Sequence, residues 1–117
     1  MRQVIQGIDA GDAACSQIGV EFIEEDEKFP FGKGLKSSIA RALRRSVLNA
    51  EQVERIRKRV VQLLIKEHIP YEYRDYARLL KRVGIGDWWP AIEKQVNRNN
   101  PHVLRFYNYF KSFVLPE

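Results

Sequence analysis

The longest regular pattern of hydrophobic and polar residues in the chain lies in segment 49–67. Asn49 and Gln52 have the spacing of a capping box, so we expect a helix to begin there. At 100° per residue, the apolar side chains cover an arc of about 200°, wider than the stripe of an ordinary surface helix. They are Val53, Ile56, Val60, Val61, Leu63, Leu64 and Ile65. The pattern therefore predicts a central helix that neighbouring elements cover from more than one direction.

The same helical period recurs after and before this segment, bounded by proline, glycine and asparagine. Gly84 is typical of a helix end, and Asn100 followed by Pro101 is typical of a helix start. We expect about five short helices, over residues 38–47, 50–67, 70–83, 88–98 and 101–114. Short connections predict antiparallel neighbours. The fold class that follows is mainly α, a compact helical bundle.

The first 34 residues show a different pattern. Ile18, Val20 and Phe22 alternate with polar or small residues, which is the period of a half-buried strand. Val4 and Ile8 belong to a second apolar stretch, and turn-forming residues connect the two. We expect a less regular segment over residues 1–34, with a small β-hairpin as one hypothesis, beside a helical core over residues 35–117.

Length and composition place the chain among ordinary globular proteins. With 117 residues it is long enough to bury a hydrophobic core and suits one domain. Its 44% apolar and 30% charged residues argue against extensive disorder. A single cysteine, Cys15, excludes an internal disulfide framework. No apolar run approaches the ~18 residues of a membrane span, and the start lacks a signal-peptide pattern, so we expect a cytoplasmic protein without a membrane partner.

Charge is distributed unevenly along the chain, and this asymmetry carries the main functional hypothesis. Residues 1–32 contain two basic and seven acidic residues, whereas residues 33–82 contain fourteen basic and five acidic ones. A basic helical face is typical of proteins that contact nucleic-acid phosphates or another polyanion, although it is also typical of solvated surface. The candidate residues are Arg41, Arg44, Arg45, Arg55, Arg59, Lys66, Arg74, Arg78 and Lys81. Their helices offer no evident readout of base sequence.

A second hypothesis is a protein-interaction module, either a small subunit or a homodimer. Trp89 lies about 100° from the stripe formed by Trp88, Ile92 and Val96, so it either covers another helix or contacts a partner. Tyr71 and Tyr109 are further candidate anchors for a protein partner. A third hypothesis is that the acidic run at residues 24–27 competes with a partner for the basic face.

The glycine-containing stretch FPFGKGLKSS is a weak candidate for an anion-binding loop. It is not a Walker A loop, because Leu35 rather than glycine precedes the lysine and the serine. The candidate residues are Lys33, Gly34, Lys36 and Ser37, with Ser37 or Ser38 as the expected N-cap of the next helix. The alternative is a capped turn whose aromatic residues pack into the core.

The sequence contains no recognisable catalytic or metal-binding constellation. His68 and His102 lack the spacing of a metal motif, and Cys15 is isolated among small residues. A metal site requires three or four ligands that this pattern does not supply. We therefore expect a binding protein rather than an enzyme, with no metal and no cofactor.

Overall fold

A computed structural model of the chain describes residues 2–25 and 33–114, and in this part it contains seven α-helices and no strand. None of these helices is both long enough and apolar enough to cross a membrane. The mainly helical prediction is confirmed, but the expected number of five helices is wrong. The helices are α1 (Arg2–Asp9), α2 (Ala13–Glu24), α3 (Lys33–Arg44), α4 (Ala50–Ile65), α5 (Tyr73–Val83), α6 (Trp89–Gln95) and α7 (Pro101–Val114).

The N-terminal segment forms the helices α1 and α2 where a β-hairpin was one expectation, so that hypothesis is wrong for residues 2–24. Asp12 begins α2 as an N-cap, because its carboxylate accepts hydrogen bonds from the backbone N–H groups of Ala14 and Cys15 at 2.9 and 3.2 Å. The apparent strand alternation has a simple origin. Val20 and Phe22 are both buried because α2 packs against α1, α3 and α4, whereas Ile18 is 44% exposed.

The first three helices approach each other closely at Gly19 of α2. A Cβ atom at this position would lie 2.9 Å from Ile8 Cδ1 of α1. It would also lie 3.4 Å from Ile39 Cγ2 and from Leu43 Cδ2, both in α3. Glycine is therefore required at this point by the space between helices rather than by backbone conformation.

The central helix α4 has the predicted start and the predicted apolar face. Asn49 and Gln52 form the capping box, and the helix packs against α2, α5 and α6. Its C-terminal end is a Schellman motif, in which His68 N–H donates to the Leu63 carbonyl at 2.9 Å. Glu67 has the positive φ of this motif, 62°, where glycine is usual. Its carboxylate accepts hydrogen bonds from the side-chain amides of two asparagines, Asn97 and Asn100, at 3.1 and 3.0 Å.

The connection from α5 to α6 differs from the expected single helix over residues 88–98. A 3-10 turn, Gly86–Trp88, precedes α6 and changes the phase of the side chains that follow. Arg57 of α4 holds the end of α5, because its Nε donates to the Gly84 carbonyl at 2.7 Å and its Nη2 to the Val83 carbonyl at 2.9 Å. Gly84 ends α5 as predicted, with φ +86°.

Two of the expected helix starts are corrected. Helix α3 begins at Lys33, so neither Ser37 nor Ser38 is its N-cap. Helix α5 begins at Tyr73 rather than at Pro70, whose carbonyl accepts the Tyr73 N–H at 3.0 Å in a turn before the helix.

Helices α3, α5 and α7 run in the same direction. Near the start of both α3 and α5, Lys36 pairs with Glu72 at 3.5 Å, and further along Arg41 pairs with Asp75 at 3.5 Å. Between α5 and α7, the rings of Tyr73 and Phe106 are 4.8 Å apart, and later in both helices Lys81 lies 5.9 Å from the ring of Tyr109. The three N-terminal ends therefore lie on the same side of the molecule.

We expect Gly19→Ala to lower the free energy of unfolding by about 1–3 kcal/mol, because the added methyl group overpacks buried residues that have no free space. The matched control is Gly34→Ala. Gly34 is also in a helix, and nothing lies within 4 Å of the position that the added methyl group would take. That change should be neutral or stabilise by up to about 1 kcal/mol through helix propensity. Urea unfolding followed by circular dichroism measures both. Equal effects of the two substitutions would contradict close packing at Gly19.

Candidate anion-binding groove

Three adjoining clefts follow α5; residues of α7 line all three, and residues of α3 line the first and the third. Their volumes are about 490, 580 and 470 Å³. The first and second share Arg74, Arg78 and Arg105 in their walls, and the second and third share Arg78 and Tyr109. We call the three clefts together the basic groove, and the first of them, which lies at the N-terminal ends of the three helices, the end cleft.

The walls of the basic groove carry a large excess of positive charge. Asp75 is the only carboxylate in them within the part of the chain that the structure describes, and it pairs with Arg41 at 3.5 Å. His102 adds an imidazole to the end cleft. The permanent cations that line the groove are Arg41, Arg44, Arg74, Arg78, Lys81, Arg82 and Arg105.

Several arginines outside the groove are compensated by carboxylates of the described residues, whereas most arginines of the groove are not. Outside the groove, Arg45 pairs with Asp9 at 2.9 Å and Arg55 pairs with Glu24. Within residues 2–25 and 33–114, no carboxylate lies within 4 Å of the following groove residues: Arg44, Arg74, Arg78 and Arg82. The fold thus pairs its structural arginines and leaves the groove with uncompensated charge.

Aromatic side chains are interspersed with these cations. Tyr71 is 74% exposed at the mouth of the end cleft, and half-buried Tyr109 lies beneath Lys81. Phe106 is buried at the base, between the first and second clefts. The groove therefore combines cationic side chains with the exposed ring of Tyr71.

The structure divides the nine cations predicted from the sequence into two sets. Five of them line the basic groove: Arg41, Arg44, Arg74, Arg78 and Lys81. The other four do not line it: Arg45, Arg55, Arg59 and Lys66. The basic row of α5 therefore shares its surface with α3 and α7 rather than with the cations of α4.

Arg45 and Arg55 are bound instead to the acidic N-terminal segment, through Asp9 and Glu24. Glu24 also raises the pKa of the Arg55 guanidinium, chiefly through their hydrogen bond. The hypothesis that the acidic run masks basic residues thus has a local counterpart at Arg55. Residues 26 and 27 of that run lie outside the described residues.

Sequence reasoning missed Arg82, His102 and Arg105 as groove residues. Arg105 follows His102 by three positions and so lies one turn further along the same face of α7. That spacing was visible in the sequence. The direction of α7 beside α5, which brings this face to the groove, was not.

The four candidates of the glycine-containing stretch have different surroundings. Gly34 and Ser37 line the end cleft, whereas Lys36 forms a largely buried ion pair with Glu72. The side chain of Lys33 and the aromatic residues before it, expected to pack into the core, lie outside the described part of the chain. Ser37 is 4% exposed, and its hydroxyl has no hydrogen-bond partner in the described part.

The proposed protein-contact residues do not form one surface. Trp89 is only 7% exposed and stacks on Tyr107, with ring centroids 5.4 Å apart, so of its two expected roles the structure agrees with packing against another helix. The 3-10 turn is the reason, since it turns Trp89 inward and leaves Trp88 half-buried, with its indole N–H donating to Glu54 at 2.7 Å. Tyr71 and Tyr109 belong to the basic groove.

Cys15 and His68 lie outside the groove. Desolvation raises the pKa of the Cys15 thiol, and the nearby Asp12 carboxylate raises it further, which disfavours a reactive thiolate. His68 is exposed after the end of α4. Within the described residues, no three side chains of His, Cys, Asp or Glu cluster as a metal site requires.

Comparison of the chain with models of protein families, with characterised proteins and with solved structures found no match.

Arg78 lines all three clefts, and we expect Arg78→Gln to stabilise the free protein because it relieves repulsion among like charges. The gain should be about 0.3–1 kcal/mol at low salt. The gain in stability should disappear at about 1 M salt, because salt then screens interactions between exposed charges that are more than ~3 Å apart. Thermal unfolding at both salt concentrations measures it.

The matched control is Lys58→Gln, which removes an exposed cation of α4 outside the groove. This change should not stabilise the protein. A loss of stability in Arg78→Gln at low salt would show that Arg78 has a stabilising structural contact.

Proposed function

We propose that this protein binds single-stranded nucleic acid through the basic groove. The main observation is that seven arginine and lysine residues from three helices line one concave surface. Among the described residues that line this surface, Asp75 is the single carboxylate. Each phosphate of a bound strand replaces a condensed counterion by an arginine or lysine contact, and release of these ions drives binding. A polyanion also removes the repulsion among the groove cations that the free protein retains.

Two features favour a single strand over a duplex. The cations line concave clefts, which suit a flexible backbone better than the wide, rigid surface of a double helix. Tyr71 and Tyr109 lie among the cations, and exposed bases of a single strand can stack on such rings. Arginine supports both contacts, because its planar guanidinium binds phosphate through two hydrogen bonds and stacks on bases.

Specificity for base sequence should be weak. Among the described residues that line the second and third clefts, three have uncharged polar side chains. They are Asn108, Tyr109 and Ser112. Phosphate contacts and stacking carry little sequence information. We expect similar affinities for strands of different sequence and equal length.

A protein partner is the alternative that the sequence suggested. The exposed large hydrophobic residues of the described part, Ile18, Val47 and Tyr71, belong to three different segments of the chain. Protein interfaces centre on clustered anchors. We therefore favour the polyanion.

The test is fluorescence anisotropy of a labelled single strand titrated with protein at about 50 and 200 mM salt. We compare the groove variant Arg74→Gln/Arg78→Gln/Lys81→Gln with the control Lys58→Gln/Lys66→Gln/Lys94→Gln. Both variants remove three cations and change the net charge equally. Because each lost phosphate contact lowers the salt slope by about 0.7 for a single strand, the groove variant should lose about 2 units of slope and the control almost none.

Three results would count against the proposal. Equal losses in the two variants would show attraction to total charge rather than binding in the groove. Absence of binding at about 50 mM salt would exclude nucleic acid as the ligand. Preference for a duplex of the same length would exclude the single-stranded form.

A further inference from the structure

The end cleft contains a polar group that the free protein leaves unsatisfied. Ser37 lines this cleft, is 4% exposed, and has no hydrogen-bond partner for its Oγ in the described part of the chain. A hydroxyl buried in this way costs folding free energy, and proteins rarely retain one without use. The Oγ atom exposes less than 1 Å² in the free protein, so it donates to a ligand oxygen only once the Ser37 side chain turns toward the cleft.

Three helix N-termini also meet at the end cleft. Gly34, Arg74 and His102, which line it, are each the second residue of their helix, α3, α5 and α7 respectively. These helices have 12, 11 and 14 residues, so each has a developed dipole with its positive end at the cleft. Because the three helices run in the same direction, the positive ends of their dipoles act together near the Ser37 hydroxyl.

Guanidinium groups complete the positive environment. Arg74, Arg78 and Arg105 line the end cleft, and no carboxylate in the described residues lies within 4 Å of them. Asp75 compensates Arg41, the fourth arginine of the cleft, at 3.5 Å. The uncompensated charge exceeds the single negative charge of one internal phosphodiester.

We infer that the end cleft binds the terminal phosphomonoester of the nucleic-acid strand, while the rest of the groove binds its internal phosphates. The inference rests on the proposed function. A phosphomonoester carries about −1.5 to −2 charges at pH 7 and presents three terminal oxygens, which match several guanidinium groups and the Ser37 hydroxyl. Tyr71 lies at the mouth, where the terminal base can stack on it.

The volume of the end cleft agrees with this ligand. About 490 Å³ falls within the range of sites for small organic ligands, and so exceeds what an isolated phosphate needs. A terminal nucleotide fills it with phosphate and sugar. The second cleft then continues along α5 and α7 for the following nucleotides, since it shares Arg74, Arg78 and Arg105 with the end cleft.

The experiment compares three strands of one sequence that carry a 5′-phosphate, a 3′-phosphate or hydroxyl groups at both ends. Each competes with a labelled hydroxyl-ended strand for the full chain, followed by anisotropy. We expect one phosphorylated strand to compete about tenfold better than the hydroxyl-ended strand, because its dianion makes charge-assisted hydrogen bonds in the end cleft. The preferred end gives the direction of the strand along α5.

Ser37→Ala supplies the decisive variant. It removes a buried hydroxyl without a partner in the described residues, so the protein should fold at least as stably as the parent chain, which thermal unfolding checks. The ratio of the affinities for the phosphorylated and the hydroxyl-ended strand should fall at least about threefold relative to the parent chain. The control is Ser38→Ala, since the Ser38 hydroxyl accepts from Arg41 at 3.3 Å and does not line the cleft.

Different results would contradict the terminal phosphate site and the proposed binding of a strand in the groove. Equal competition by all three strands, with binding still lost in the groove variant, would overturn the terminal phosphate site and leave the groove intact. A preference that survives unchanged in Ser37→Ala would also overturn it. Absence of binding by every strand at about 50 mM salt would contradict both proposals.

Discussion

Burial of α4 on several sides is the constraint on which the rest of the structure depends. Short connections lead from α3 into α4 and from α4 into α5, and each reverses the direction of the chain. Because two reversals restore the original direction, α3 and α5 run the same way and pack together. Their basic residues, Arg41 and Arg44 on one helix and Arg74 and Arg78 on the other, then border one surface.

The same arrangement explains why charge compensation differs across the molecule. The N-terminal helices α1 and α2 cover one side of the bundle and bring Asp9 and Glu24 to Arg45 and Arg55. On the other side, α7 completes the groove with Arg105 and aromatic residues but contributes no carboxylate within the described residues. Like charges gathered without counter-charges cost stability, and a bound polyanion offsets this cost. The groove is therefore a part of the surface where arginines of three helices lie together with little compensation by carboxylates.

Close packing of the first three helices provides the rigid support for this surface. Gly19 allows α2 to approach α1 and α3, and Arg57 fixes the end of α5 through two backbone carbonyl groups. Both contacts lie outside the groove. Substitutions in the groove can thus change binding without removing the contacts that hold the helices together, which makes the functional experiments interpretable.

Local signals in the sequence predicted local structure well. The capping box at Asn49, the end of α5 at Gly84 and the start of α7 after Asn100 are all present, because each depends on residues a few positions apart. The N-terminal helices were missed because α2 is covered on several sides, so that Val20 and Phe22 are both buried. Two apolar residues separated by one polar residue also have the spacing of a half-buried strand.

The site was predicted only in part, for a related reason. Periodicity identified five groove cations but could not assign α5 to the side of α3 and α7, because tertiary packing decides which faces meet. Arg105 was therefore missed, and the two expectations for Trp89 stayed open because the 3-10 turn before its helix was not foreseen. The buried hydroxyl of Ser37 has no signature in a sequence at all.

The most direct test of the central claim is nuclear magnetic resonance of the arginine Nε–H groups during titration with an unlabelled single strand. The account predicts that the signals of Arg74, Arg78 and Arg105 shift and saturate together, because these residues line the groove. Those of Arg45 and Arg57, which bind other groups of the protein, should remain in place. Equal shifts of all arginine signals, or shifts confined to residues outside the groove, would contradict the account.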